Sequence, residues 1–165
     1  MYLETYGLRE PPFVSAPDVR FAYLTASMRE VIGHLQHEVV DGSGGILLLT
    51  GDNGSGKTLL MQCLLQQLPE RDVRLARVLH SRLTPLELLQ TVCDSLRVPL
   101  DPAQRDSGRA LVDALSAFLV DIYAQGQRVL LVVDEAQNLS DEALEQLRLL
   151  TNLETPAHKL IHVLL

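Results

Sequence analysis

The segment GDNGSGKT at residues 51–58 places two glycines, a lysine and a hydroxyl side chain at the spacing G-x-x-x-x-G-K-[ST]. Gly51 and Gly56 permit backbone angles and close approaches that a Cβ would block, so consecutive N–H groups can point at one phosphate. Lys57 adds a compact ammonium charge for the β- and γ-phosphates, and Thr58 adds a hydroxyl for Mg²⁺. Lys57 is one of only two lysines among the 14 basic residues. The segment therefore predicts a loop that binds the phosphates of a nucleotide.

A second segment, LLVVDE, ends in two adjacent carboxylates, Asp134 and Glu135, that follow an apolar run. Such a run is typical of a strand buried in a parallel sheet, and open α/β sheets bind ligands at the carboxyl ends of their strands. We therefore predict that Asp134 and Thr58 bind Mg²⁺, and that Glu135, as general base, and Lys57 carry catalysis. The predicted nucleotide-binding residues are Gly51, Asp52, Asn53, Gly54, Ser55, Gly56, Lys57, Thr58 and Asp134.

The elements that must position these residues follow from hydrophobic periodicity and from capping and turn signals. Apolar runs predict strands over residues 46–50, 73–79, 129–133 and 159–165. Helical spacing predicts helices over residues 27–40, 57–68, 85–97 and 107–124, and one more after residue 140. Thr84 and Glu87 have the spacing of a capping box, and Ser140 is a predicted N-cap. Strands that alternate with helices predict an α/β fold with a doubly wound parallel sheet.

The length of 165 residues and the hydrophobic content of 47% predict one globular domain. We divide it into an N-terminal arm and helix, residues 1–41, and a nucleotide-binding core, residues 42–165. Residues 1–26 are rich in proline and aromatic side chains, which predicts an extended arm that packs on the core. The apolar runs are far shorter than a membrane-spanning helix, and the first residues lack the pattern of a signal peptide. A cytoplasmic location is expected.

The net charge of -7 disfavours a dedicated nucleic-acid surface, which needs concentrated basic charge. An arginine cluster is the exception and predicts either a solvated rim or subunit contact, or a site for an acidic partner; it comprises Arg71, Arg74, Arg77 and Arg82. Cys63 and Cys93 lie within helical patterns and are predicted core residues. His34 and His37 share a helix face, for which solvation is favoured over a zinc site.

Six segments together resemble the AAA-type ATPase domain of the general secretion pathway protein A, or ExeA-like, family: MYLETYGLREPPF, PDVRFAYLT, TGDNGSGKT, TPLELL, VVDEAQNLS and EQLRLLTNLET. The resemblance implies an ATPase of the P-loop AAA (ASCE) type that uses ATP and Mg²⁺ to drive assembly of a cell-envelope secretion or pilus machine. It implies action as a homo-oligomer or with a partner ATPase, with attachment to the inner membrane through other regions.

The family's core has five strands in the order 5-1-4-3-2, followed by a helical lid. The printed sequence stops within the predicted fourth strand. We therefore expect a sheet truncated after that strand, without the lid, sensor residues and arginine finger, and weak or no ATPase activity of these residues alone.

The resemblance also suggests further residues. Where relatives carry Asn-Pro after the second strand, this chain has His80-Ser81. In related ATPases a polar residue at this position restrains the catalytic glutamate. His80 is therefore either a candidate regulator of Glu135 or an ordinary strand-end residue. Tyr23 and Leu24 either line a site for the adenine or only pack the arm on the core. Three residues of the family signature have no assigned role: Arg148, Asn152 and Glu154.

Three alternatives stay open at this point. The sequence DEAQ resembles a helicase motif, although an Ala-rich loop and the coupling motifs of that group are absent. Transposition ATPases share much of the pattern, whereas a GTPase is disfavoured because no N-K-x-D motif occurs. The chain could also act as a nucleotide-dependent interaction module that binds ATP without turnover.

Overall fold

The computed structural model describes residues 2–11, 18–40, 44–78, 82–155 and 158–165. The helices and strands follow one another as α1 (Tyr2–Thr5), α2 (Ala26–Val40), β1 (Gly45–Leu47), α3 (Lys57–Gln67), β2 (Val73–Val78), α4 (Pro85–Leu96), α5 (Gly108–Ala124), β3 (Arg128–Val133), α6 (Asp141–Leu150) and β4 (Ile161–Leu164). Short 3-10 helices span Val19–Phe21, Pro102–Gln104 and Ala136–Asn138.

The strands of the described residues form one parallel sheet in the order β1-β4-β3-β2. This is the order that the family resemblance implies for the first four strands. Strand β3 lies inside the sheet and sends Val129, Leu131 and Val133 into one apolar cluster, while Leu130 and Val132 enter the other. Burial on both faces explains the continuous apolar run of β3 and confirms that prediction.

The limits predicted for β1 and for its partner β4 were wrong. Regular strand β1 ends at Leu47, although the ladder continues through a 2.8 Å bond from the Leu49 N–H to the Leu165 carbonyl. Its partner β4 starts only at Ile161, because Lys159 instead forms an antiparallel bridge with Glu154. A regular strand persists only where a partner is in register, and Leu47 pairs with the last residue of β4.

Helices cover both faces of the sheet, as the doubly wound prediction requires. Residues of α4, α5 and α6 form the larger apolar cluster with one face. Residues of α2 and α3 form the second cluster with the other face. Cys93 lies in the first and Cys63 in the second, so the prediction that both belong to the core is confirmed. Burial raises the pKa of the Cys93 thiol to about 11.

The helix caps follow the sequence closely. The Thr84 hydroxyl accepts from the Glu87 N–H at 3.3 Å and the Glu87 carboxylate accepts from the Thr84 N–H at 2.8 Å, which confirms the capping box. The Ser107 and Ser140 hydroxyls accept from N–H groups of α5 and α6 in the same way. These caps define where α4, α5 and α6 begin.

The prediction of an extended, packed arm was wrong in part. Within its described residues the arm contains α1 and the 3-10 helix Val19–Phe21, and its exposed residues include Tyr6 and Tyr23. The smaller side chains of Ala22 and Leu24 pack on the α2 and α3 cluster instead. Since neighbouring extended residues point in opposite directions, packing of Leu24 turns Tyr23 towards solvent.

No helix within the described ranges is long and apolar enough to cross a membrane. The prediction that His34 and His37 lie on a solvated helix face is confirmed, because both side chains are exposed on α2.

Candidate functional site

The loop between β1 and α3 has a backbone that requires glycine at defined positions. Gly54 and Gly56 adopt φ angles of 79° and 88°, in the left-handed region that residues with a Cβ avoid. A Cβ on Gly51 would lie 2.8 Å from the Ser55 Oγ. The Ser55 N–H donates to the Asp52 carbonyl at 3.1 Å and closes a turn within the loop. The loop is therefore a tight turn that folds back on its own start.

Helix α3 begins at Lys57, and its N-cap residue Gly56 lacks a side chain and leaves the first turn without a side-chain cap. The first N–H groups of a helix have no partner within the helix, and the helix dipole places partial positive charge at the same end. Loop and helix start together offer backbone N–H donors, an ammonium group and a hydroxyl. This donor set fits a nucleotide phosphate, because a helix start of this kind favours anions.

The Lys57 ammonium lies against the start of the loop. Its Nζ donates to the Gly51 carbonyl at 2.8 Å and to the Asp52 carbonyl at 3.0 Å. The side chain is therefore folded over the turn rather than extended into solvent. This places the one positive charge of residues 51–58 beside the N–H groups of the loop.

Asp134 and Thr58 meet although they are 76 residues apart in sequence, and the Thr58 Oγ1 donates to the Asp134 Oδ2 at 3.3 Å. The other carboxylate oxygen of Asp134, Oδ1, accepts from the Glu135 N–H at 3.0 Å. Parallel pairing of β1, β4 and β3 brings the ends of β1 and β3 to the same edge of the sheet. The two predicted Mg²⁺ ligands therefore lie side by side, as oxygen ligands suited to that ion.

Glu135 is exposed at the end of β3 and has a left-handed backbone, with φ 55° and ψ 42°. Its carboxylate accepts a hydrogen bond from the Gln137 amide. The sequence analysis missed Gln137, although its position two residues after Glu135, in DEAQ, could have drawn attention to it. It also missed Met28 of α2, whose methyl carbon lies 3.4 Å from the position of a Cβ on Gly56.

Other residues singled out in the sequence have local contacts. Arg148 pairs with Glu145 on α6 at 2.7 Å, and Glu154 pairs with Lys159. In the arginine cluster, Arg74 lies over the Phe118 ring at 5.7 Å. His80 lies outside the described residues, so its role as a regulator of Glu135 stays a prediction.

Comparisons with known proteins identify the family and the fold. A family model described as "AAA domain" matches residues 40–165. General secretion pathway protein A of Aeromonas hydrophila is 43% identical over 166 residues, which cover 100% of this chain and 29% of the relative. The chain thus spans less than a third of that relative's length.

Two solved structures share the fold at low identity. The ORC2 protein of Aeropyrum pernix, solved as ADPNP-ADP complexes, has a TM-score of 0.58 and 19% identity, covering 93% of this chain and 41% of that one. Cdc6p of Pyrobaculum aerophilum has a TM-score of 0.61 and 18% identity, covering 92% and 40%. The chain therefore belongs to the AAA domain family and is an ExeA-like AAA ATPase domain with a P-loop α/β fold.

Proposed function

We propose that this domain binds Mg-ATP through residues 51–58 and hydrolyses it to drive assembly or remodelling of a cell-envelope secretion machine. The name of the Aeromonas relative, general secretion pathway protein A, supports the secretion role. Action with further copies of the chain or with a partner ATPase belongs to the same proposal. An arginine supplied by a neighbouring subunit contributes about 10³- to 10⁵-fold to the rate in related phosphoryl-transfer enzymes.

The hydrogen bond between Thr58 and Asp134 is the observation that carries the proposal. It joins the start of the phosphate-loop helix to the end of a buried strand, the two places from which a P-loop ATPase draws its Mg²⁺ ligands. Lys57 and the N–H groups of the loop would bind the β- and γ-phosphates. The bound Mg²⁺ would supply Lewis-acid neutralisation of phosphate charge.

Glu135 is the proposed general base. Its carboxylate follows Asp134 directly, so one strand end can provide a metal ligand and a proton acceptor at adjacent positions. The function of the carboxylate is to accept a proton from water as the water attacks the γ-phosphate. Tyr23 and Leu24 near the start of α2 are proposed to contact the adenine, and His80 to restrain Glu135.

The proposal is tested by ATP titration and phosphate release with three variants of the full-length protein. Lys57→Ala should weaken ATP binding by more than about tenfold, because the loop loses its ammonium charge. Glu135→Gln should bind ATP normally while turnover falls by about 10²-fold or more, since an amide cannot accept the proton. Lys159→Ala is the matched control, because it removes the other lysine, which pairs with Glu154.

Unchanged ATP affinity in Lys57→Ala would contradict the loop assignment, and turnover near wild type in Glu135→Gln would contradict the base assignment. For the secretion role, cells that carry only the Glu135→Gln protein should lose export through the machine, whereas cells with Lys159→Ala should retain it. Normal export with the Glu135→Gln protein would refute the assembly function.

A further inference from the structure

The backbone of Glu135 is held on both sides, but its side chain is not fixed by that backbone. The Glu135 N–H donates to Asp134 Oδ1 at 3.0 Å, and the Glu135 carbonyl accepts from the Asn138 N–H at 3.0 Å. An exposed glutamate nevertheless retains several rotatable bonds and much conformational freedom. A base must present its oxygen in one direction, so a second contact is needed to orient the carboxylate.

Gln137 provides that contact. The 3-10 helix Ala136–Asn138 turns the chain back, and the Gln137 Nε2 donates to the Glu135 Oε2. An ionised carboxylate only accepts hydrogen bonds, so the amide must present its nitrogen and not its oxygen. One carboxylate oxygen is thereby engaged, and no hydrogen bond within the described ranges engages the other, Oε1.

We propose that Gln137 is a positioning residue that orients the Glu135 carboxylate so that Oε1 accepts the proton from the attacking water. The inference rests on the proposed function, in which Glu135 is the general base. Gln137 acts through Glu135 alone and contacts neither phosphate nor metal in this role. It contributes to the rate of the chemical step and not to nucleotide affinity.

A purely structural role for Gln137 fits the surroundings poorly. Its side chain is exposed, whereas the neighbours Ala136 and Leu139 provide the contacts of this turn with the larger apolar cluster. Substitution of an exposed side chain outside such a cluster has little effect on stability. The effect of a Gln137 variant should therefore appear in turnover while the unfolding temperature stays constant.

The test compares kcat, KM and ATP affinity in the full-length protein for Gln137→Ala, Gln137→Glu and Gln137→Lys. Gln137→Ala should lower kcat by about three- to tenfold at constant KM, the loss expected for one hydrogen bond that orients a reacting group. Gln137→Glu keeps the shape but replaces the donor with a second negative charge, so it should be the slowest. Gln137→Lys restores a nitrogen donor and should recover part of the rate. Asn138→Ala is the control in the same turn and should match wild type.

The outcomes separate this inference from the proposed function. If Glu135→Gln abolishes turnover while all three Gln137 variants keep the wild-type kcat, only the role of Gln137 is overturned. If Glu135→Gln itself turns over normally, the base assignment fails first. A higher kcat in Gln137→Ala would also overturn the inference, because the hydrogen bond would then restrain Glu135. Equal losses in all three variants together with lower unfolding temperatures would identify a structural residue.

Discussion

Helices α3 and α4 both follow a parallel strand and begin at the same edge of the sheet. They differ in whether side chains cap the N–H groups of the first turn. In α4, Thr84 and Glu87 satisfy each other's backbone N–H groups, and Pro85 has no N–H to satisfy. In α3, Gly56 offers no side chain at the corresponding place. The start of α4 is closed by its own residues, whereas that of α3 is available to an anion.

Two threonine hydroxyls show the same contrast. The hydroxyl of Thr84 stays within its own helix and caps the Glu87 N–H. The hydroxyl of Thr58, in the first turn of α3, reaches Asp134 on another element. A capping side chain typically contributes about 1 kcal/mol to stability. The first turn of α3 lacks that contribution to stability, and it is the turn that is proposed to bind ATP.

Among changes at the two helix starts, the largest effect is expected for Gly56→Ala at the N-cap of α3. An alanine at φ 88° costs about 1 to 2 kcal/mol, and relief of this strain would displace the N–H groups proposed to bind the phosphate. ATP affinity should fall by roughly five- to thirtyfold in a titration, the factor equivalent to that energy. Gly126→Ala is the matched control, because its φ is 79° and a Cβ there meets no atom within 4 Å.

Gly126→Ala should therefore lower the unfolding temperature as much as Gly56→Ala does while ATP affinity stays unchanged. Equal affinities for the two variants would mean that the left-handed turn at Gly56 is not needed for binding.

An intermediate effect is expected when the two threonines are exchanged for alanine. Thr84→Ala should lower the free energy of unfolding by about 1 kcal/mol in urea titrations, because the N-cap bond is lost, with no change in ATP hydrolysis. Thr58→Ala should show the reverse, with stability almost unchanged and a higher Mg²⁺ concentration needed for half-maximal turnover. A Thr58→Ala protein with wild-type Mg²⁺ dependence would contradict the ligand assignment.

The smallest effect concerns how the stability that the capping box of α4 provides depends on pH. Hydrogen bonds from the Thr84 N–H and hydroxyl hold the pKa of Glu87 below its usual value. A lowered pKa in the folded state adds stability at neutral pH, and this stability is lost as pH falls through that lowered pKa. The unfolding curves of wild type and Glu87→Gln should therefore differ slightly near pH 7 and converge in acid. A difference that stays constant with pH would show that the charge of Glu87 contributes nothing.

Features carried by neighbouring residues were predictable from the sequence. The capping box of α4, the Ser140 cap and the burial of β3 on both faces were all confirmed. The phosphate-loop segment has the backbone angles that its glycines suggest. Such features depend on interactions over a few residues or on the hydrophobicity of one continuous segment. The pattern of residue types is therefore sufficient to predict them.

Other features depended on partners distant in sequence. The Thr58 hydroxyl meets Asp134 only because the sheet order brings the ends of β1 and β3 to one edge, and that order came from the family resemblance rather than from periodicity. Regular β1 ends at Leu47 because its partner β4 ends in register with it. The exposure of Tyr23 follows from which of its neighbours pack on α2 and α3. By itself the sequence determined the local chemistry, while tertiary pairing decided which groups meet, because contacts between distant residues depend on the packing of the whole chain.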